Sequence, residues 1–393
     1  MRIDPLWSPC GEAPASGRAP HAPIVIALHA SASSARQWRA LAARLEGGAA
    51  PQGVDGAGGV DGAGGPPRPP NGPGFRVLAV DLHDHGVGPA WTSDGRARPP
   101  LTLEDEAALV APLLAEAGRV SDGGGVHLVG HSYGGAVALK VASQHPQHVR
   151  SLVLYEPVAF RLLLDDPASH AETAEALAVT AAMQTLMERG DREGAARHFV
   201  DYWSGSGTWQ AMPEPARASV AERLPALLQH FGALYNERQQ AAAVSRLAVP
   251  TLVLSGDRSV ATARRIAQRL CALQPAATHE TLPGLGHMGP VTHAERVAER
   301  IAQHLQAQPH WAVPVPTMPR RAATHAAPYA ASHATSHAAS YTPSPASTPV
   351  SGPAASHRAP RPGAAEAAPT AAFHAHVPFP DPVHELRDFS TVA

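Results

Sequence analysis

Three residue types that together can run acyl-transfer chemistry stand at three separated points of the chain: Ser132, Asp257 and His287. A serine hydroxyl is a weak nucleophile and needs a base to take its proton. An imidazole can do so near neutral pH, provided a carboxylate fixes its tautomer and stabilises the imidazolium that forms. Ser132 lies within Gly130-His131-Ser132-Tyr133-Gly134, a G-x-S-x-G match. The apolar run Val126–Val129 precedes it, and a run of good helix formers, Ala136–Ala142, follows. Strand, sharp turn and helix is the context this motif requires. At such a turn the serine is held in a strained conformation with its hydroxyl outward. Gly130 and Gly134 flank it because a Cβ at either place would collide where strand and helix nearly touch. The free N–H groups of the following helix favour developing negative charge beside Ser132. Asp257 ends the apolar run Thr251–Ser255, and His287 sits among Gly284, Gly286 and Gly289, in a loop suited to reaching back over a sheet.

These residues need a scaffold that brings strand ends together. Ile24–Leu28 is fully apolar and of strand length, as a buried parallel strand requires. A helix is expected from Arg36 to Leu45, where Trp38, Leu41, Ala42 and Leu45 fall at helical spacing. Phe75–Val80 reads as the next strand, running into Asp81-Leu82-His83-Asp84-His85-Gly86. A helix from Leu103 to about Ala117 leads to the Ser132 strand. Val149–Tyr155, Thr251–Ser255 and Thr278–Leu282 read as further strands, with helices over Val260–Leu273 and His293–Gln306. Strands alternating with helices imply a mostly parallel, doubly wound α/β sheet. Residues 157–245 hold helical runs and no strand pattern, so they are expected to stand outside the sheet as a helical cap. Ligands of an open parallel sheet bind beyond the carboxyl ends of its strands. Ser132, Asp257 and His287 follow three such ends.

Composition narrows the function classes. The chain has 393 residues, 44% of them apolar and 16% charged, with a formal net charge of −2. That balance gives no electrostatic case for a nucleic-acid or anionic-membrane partner. No apolar run approaches the ~20 residues that span a bilayer, and the start lacks the h-region of a signal peptide. A cytoplasmic location is the expectation. Cys10 and Cys271 are too few for a disulfide framework or a metal site. Residues 1–22, 47–74 and 309–393 are rich in Pro, Gly, Ala and Ser and are expected to be loosely ordered, a flexible insertion and a disordered tail, respectively. The tail carries eight histidines, from His310 to His384, at irregular spacing that argues against metal binding. Neither a metal nor a cofactor is expected.

The chain resembles the α/β-hydrolase superfamily, in its branch with a helical cap. The resemblance covers roughly residues 24–307. It rests on Leu28-His29-Ala30-Ser31, Asp81-Leu82-His83-Asp84-His85-Gly86, Gly130-His131-Ser132-Tyr133-Gly134-Gly135, Gly256-Asp257 and Gly286-His287. It implies Ser132 as nucleophile, Asp257 as acid and His287 as base, in the order serine, acid, histidine that this fold uses. It implies an oxyanion hole from the amides of Tyr133 and Ser31. Glu156 ends the strand after the nucleophile, where some relatives place the acid; Asp257 is the expected one. Two positions depart from the family pattern: Ala30 stands where a glycine is usual after the first histidine, and Asp84 where D-x-x-G-x-G has its first glycine. Asp81 and His85 are expected to organise their own turn. His131, Trp203 and Trp209 are candidates for the substrate pocket. The implied activity is hydrolysis of a carboxylic ester of a small or medium apolar acid, with a small-molecule substrate and neither a nucleic-acid nor a membrane partner. The alternatives are a C–C bond hydrolase or perhydrolase-like relative, and a ligand sensor that keeps the triad without turnover.

Overall fold

The structure is a computed structural model that describes residues 22–46, 74–91, 94–120 and 125–308. The expectations for the N-terminal stretch, the 47–74 insertion and the 309–393 tail fall outside the described residues, apart from residues 22 and 74 themselves. Six strands form one sheet among the described residues: β1 (Ile24–Leu28), β2 (Arg76–Val80), β3 (Val126–His131), β4 (Val149–Tyr155), β5 (Thr251–Gly256) and β6 (Ala277–Leu282). Their order is β2-β1-β3-β4-β5-β6, and every pairing is parallel. The chain therefore reverses direction of travel across the sheet at β1 and β3, and the ends of those two strands diverge into a crevice.

Parallel strands need crossovers, and helices supply them on both faces. The helices of the first half are α1 (Arg39–Glu46), α2 (Leu103–Val120) and α3 (Tyr133–Gln144). Between β4 and β5 run α4 (Arg161–Leu164), α5 (His170–Glu188), α6 (Arg192–Ser204), α7 (Thr208–Ala211), α8 (Glu214–Glu222), α9 (Leu224–Tyr235) and α10 (Gln240–Arg246). The last are α11 (Ala261–Leu273), α12 (Gly289–Thr292) and α13 (Ala294–Ala307).

Side chains of a strand alternate between faces, and β1 shows it. Ile24, Ile26 and Leu28 join a core with Val110 and Leu114 of α2, Val137 and Val141 of α3, and Ile266 and Leu270 of α11. Val25 and Ala27 turn to the opposite face, where Leu41 and Leu45 of α1 pack with Val297, Ile301 and Leu305 of α13. Both faces are covered there, so β1 reads as an unbroken apolar run, whereas β6 is largely polar and exposed. Truncating any of these buried leucines to alanine should cost about 2–5 kcal/mol. The first core also takes in Phe160, Trp203, Leu227 and Phe231 from the β4–β5 insertion. The inserted helices are thereby fixed to the carboxyl end of the sheet. No helix among the described residues is long and apolar enough to cross a membrane.

Candidate active site

Ser132 connects β3 to α3 with φ 54° and ψ −118°, a conformation that non-glycine residues seldom adopt. Its backbone is held from three sides. Its N–H donates to Tyr155 O at 3.1 Å, and its carbonyl accepts from Gly135 and Ala136 at 2.9 and 3.1 Å. The two flanking glycines are required by contact. A Cβ on Gly130 would lie 2.5 Å from Gly134 O, and one on Gly134 would lie 2.4 Å from His29 O. The turn therefore leaves the Ser132 side chain one direction, outward beyond the end of β3.

His287 Nε2 lies 2.9 Å from Ser132 Oγ. His287 Nδ1 lies 2.8 Å from Glu156 Oε2. A carboxylate only accepts, so the Nδ1 proton points to Glu156 and the bare Nε2 can accept the serine proton. Glu156 follows β4 at φ 43° and is fully buried. Its second oxygen, Oε1, accepts the Gly256 N–H at 2.7 Å and the Ser259 hydroxyl. The carboxylate is thus fixed by three groups from two neighbouring segments. Below it, the Tyr155 hydroxyl donates to Gly286 O at 2.8 Å and ties the histidine loop to the end of β4. Burial, with Glu156 next door, pushes the Tyr155 phenol far above its usual range, so it stays a donor.

The expected pairing of Asp257 with His287 is corrected. Asp257 is exposed, and its Oδ1 accepts the Gly284 N–H at 2.7 Å. It braces the loop that carries His287 and leaves the imidazole to Glu156. The physical reason is position. β4 is the immediate neighbour of β3, whereas β5 lies one strand farther out. The left-handed backbone at Glu156 turns its longer side chain across the end of β5, where the Gly256 amide receives it.

The opposite side of Ser132 is the loop after β1. Tyr133 opens α3, so its N–H has no acceptor within the helix. Across from it, residues 29–32 are pinned by histidines. Leu82 N–H donates to His29 Nε2 at 3.1 Å, and His29 Nδ1–H donates to Ala30 O at 2.7 Å. Ala32 N–H donates to His85 Nε2 at 3.0 Å, and His85 Nδ1–H donates to His83 O at 2.8 Å. Both rings are neutral tautomers with the proton on Nδ1. Burial, aided by the neighbouring His85, lowers the His29 pKa to about 3, and burial also lowers that of His85. Ala30 N–H is taken by Gln37 Oε1 at 3.2 Å. Ser31 lies between these anchored residues, and its hydroxyl meets His230 Nδ1 at 2.8 Å.

Both departures from the family pattern have a structural account. The positive φ of the loop falls on Ala32, at 58°, and Ala30 has none, so a Cβ is tolerated there. Asp84 has φ 57°, which aspartate tolerates better than most residues, and its Oδ1 accepts Trp91 N–H at 2.7 Å. Asp81 reaches beyond its own turn: it accepts Val87 N–H at 3.0 Å and Ala35 N–H at 2.7 Å.

Of the pocket candidates, two lie against His287. His131 is buried, its Nε2–H donates to His287 O at 2.8 Å, and its ring lies 5.1 Å from that of His287. Burial, reinforced by His287, holds its pKa well below the usual histidine value. Trp203 of α6 lies over His287 with ring centroids 4.3 Å apart, and Phe160 stacks behind it at 6.4 Å. Trp209 is placed differently. Its N–H donates to Asp201 at 2.8 Å and its ring receives Arg217. Among the described residues no ring contact joins it to His287. His230 was not legible as a site residue, because a histidine on the apolar face of a helix reads as core.

Known proteins place the chain in context. It is 38% identical over 85 residues to Lipase LipV of Mycobacterium tuberculosis, a match covering 22% of this chain and 28% of the lipase. The chain thus spans well under a third of that relative. It is 26% identical over 237 residues to the pimeloyl-[acyl-carrier protein] methyl ester esterase of Chromobacterium violaceum, covering 60% of this chain and 85% of the esterase. A solved structure of a hydrolase from Pseudomonas aeruginosa superposes with a TM-score of 0.52 at 20% identity, covering 74% of this chain and 92% of that one. An esterase from Exiguobacterium antarcticum superposes at 0.53 with 16% identity, covering 74% and 94%. At such identities the superpositions speak for the fold. The family model for the alpha/beta hydrolases matches residues 24–300, the whole of the sheet and its inserted helices, and the chain belongs to that family.

Proposed function

We propose that the protein is a serine hydrolase acting on carboxylic esters of small or medium apolar acids. The observation that carries this reading is the hydrogen-bonded line Ser132 Oγ, His287 Nε2, His287 Nδ1, Glu156 Oε2, with steps of 2.9 and 2.8 Å, set on a strained turn. Ser132 Oγ attacks the ester carbonyl as His287 Nε2 takes its proton. Glu156 stabilises the imidazolium through Nδ1. The amides of Tyr133 and Ser31 donate to the oxyanion and stabilise the charge that develops in a site largely closed to water. Collapse of the tetrahedral intermediate breaks the bond to the alkoxy group, which takes the proton from Nε2 and leaves as an alcohol. A water then attacks the acyl-enzyme, giving its proton to Nε2, and the second collapse frees the acid and restores Ser132. Glu156 holds the tautomer throughout and gains no proton.

The substrate class follows from the walls. Trp203, Phe160, Phe231 and Tyr235 form a stacked aromatic series that starts on His287. Such a surface favours an apolar acyl group over a charged one. Ser132 is only 7% exposed, so the inserted helices act as a cap that must yield for a substrate to enter. The lipase and esterase relatives named above are consistent with an ester.

A fluorophosphonate probe and a panel of chromogenic esters test the reading. Ser132 should be the residue labelled, and Ser132→Ala should lose labelling and turnover while keeping its far-UV CD spectrum. Undiminished ester turnover by Ser132→Ala would overturn the mechanism. Binding without turnover of any ester would favour a ligand sensor instead.

A further inference from the structure

His230 lies among the buried residues of α9, between Leu227 and Leu234. It is the point at which an inserted helix meets the oxyanion side of the site. Its Nδ1 lies 2.8 Å from Ser31 Oγ. Its ring stacks on that of Tyr133 with centroids 3.8 Å apart and planes 6° from parallel. The other face meets His85 at 5.0 Å, the same ring that anchors Ala32. One side chain of the insertion therefore touches both residues whose amides would receive the oxyanion. Behind Tyr133, its hydroxyl donates to Glu106 Oε1 at 3.2 Å, and Glu106 Oε2 lies 2.9 Å from His83 Nδ1. That backing keeps the tyrosine ring in place for the stack.

We infer that His230 is a positioning residue for the oxyanion hole, fixing Ser31 by hydrogen bond and Tyr133 by stacking, so that the cap helix α9 helps to set transition-state stabilisation. The inference rests on the serine-hydrolase reading. The Ser31 side chain is tied to the insertion, whereas the Ala30 and Ala32 amides and the His29 ring are held by Gln37, His85, Leu82 and Ala30. A donor loop held a fraction of an ångström off the oxyanion loses much of its effect, because the bond must form to charge that develops only in the transition state. The Michaelis complex does not need it. Loss of His230 should therefore appear in kcat and leave KM unchanged. A purely structural contact between helix and sheet would lower the melting temperature and leave kcat of the folded fraction as it was.

The experiment compares wild type, His230→Phe, His230→Asn, Ser31→Ala and the Ser31→Ala/His230→Phe double variant. It reads kcat and KM on one ester and the rate of Ser132 labelling by a fluorophosphonate. His230→Phe keeps a flat ring against Tyr133 and loses the bond to Ser31. His230→Phe and Ser31→Ala should each lose about tenfold in kcat, less than the removal of a whole oxyanion donor. The double variant should be no worse than either, because both remove one shared bond. His230→Asn, whose amide can occupy the place of Nδ1 but gives up the ring stack on Tyr133, should recover only part of the rate. A folded His230→Phe turning over at the wild-type rate would overturn the inference, as would losses that multiply in the double variant. Should His230→Phe fail to fold, Ser31→Ala decides: a kcat loss at constant KM supports the inference, and a wild-type kcat overturns it. Wild-type protein that takes no label at Ser132 would overturn the hydrolase reading and this inference with it. Labelled wild type with unaffected variants would overturn this inference alone.

Discussion

The two sides of Ser132 are both built from histidines, and the histidines do opposite work. On one side, His287 faces the buried Glu156 carboxylate at 2.8 Å and the Ser132 hydroxyl at 2.9 Å, which makes it the base of the proposed mechanism. On the side of the proposed oxyanion hole, the ring nitrogens of His29 and His85 meet backbone groups and that of His230 meets a hydroxyl, and Asp81 stands 3.9 Å from His29. Burial lowers the pKa of all three. They remain neutral near pH 7 and act as fixed dipoles, accepting the Leu82 and Ala32 amides and meeting the Ser31 hydroxyl. A carboxylate partner makes a ring fit to carry a proton, and its absence makes a ring fit to hold a loop still. In the proposed mechanism, carrying the proton and holding the loop thereby fall to different histidines around Ser132.

The largest expected effect comes from removing the feature that distinguishes the base side. Glu156→Gln deletes the charge beside His287. Its amide can also donate to Nδ1, which forces the proton onto Nε2, where it blocks acceptance from Ser132. Turnover should fall by up to roughly 10⁴ with the fold intact. Asp257→Asn keeps the oxygen that receives the Gly284 amide, so its effect on stability should stay within about 0.5 kcal/mol and its effect on turnover should be small. Steady-state kinetics on the two variants separate the alternatives. A crippled Asp257→Asn beside a mild Glu156→Gln would return the acid to β5.

That contrast also marks how far the sequence is legible. The alternation of apolar strands and helices specifies a doubly wound sheet, and Gly130, Ser132 and Gly134 mark the turn at the end of β3. The acid is not specified. Glu156 and Asp257 each end a strand between the nucleophile and His287 in the chain, so chain order admits both. What decides is strand order within the sheet and a positive φ at Glu156, neither of which is written in residue types. His230 is hidden for another reason. Its neighbours Leu227, Phe231 and Leu234 are buried apolar residues, and a helix face of that kind announces core. The meeting of α9 with Ser31, 199 positions away in the chain, gives the histidine its hydrogen-bond partner.

The buried histidines around Ser132 should also leave a mark on stability. In the unfolded chain each titrates near the ordinary value of about 6.5. In the folded chain His29 does so at about 3, and His85, His131 and His230 are also lowered. As pH falls below 6.5 the unfolded state binds protons that the folded state refuses. Stability is therefore fully present above pH 6.5 and is lost progressively toward pH 3. Between pH 6.5 and 5, where carboxylates contribute little, the melting temperature should fall with a slope that corresponds to uptake of at least about one proton on unfolding. A melting temperature independent of pH across that window would contradict the assignment of these rings as buried and neutral.

The smallest effect sharpens the comparison from the substrate's side. Trp203 lies on the ring of His287, so its indole bounds the space an acyl group enters on the base side. Trp209 is buried as well, at 3% exposure against 6% for Trp203, but it packs with Arg217 and is held by Asp201. Truncating either costs core packing, about 3–5 kcal/mol for a buried tryptophan, so a lower melting temperature cannot tell them apart. The acyl-chain profile can. Trp203→Ala opens volume beside the triad, and each extra methylene accommodated there is worth about 0.8 kcal/mol of burial. The ratio of kcat/KM for a longer to a shorter ester should therefore rise severalfold in Trp203→Ala, while kcat on the shortest ester changes little. Trp209→Ala should leave that ratio as in wild type. Equal shifts in both variants would mean that the acyl group runs along α7 and that the aromatic series from His287 is core, not pocket.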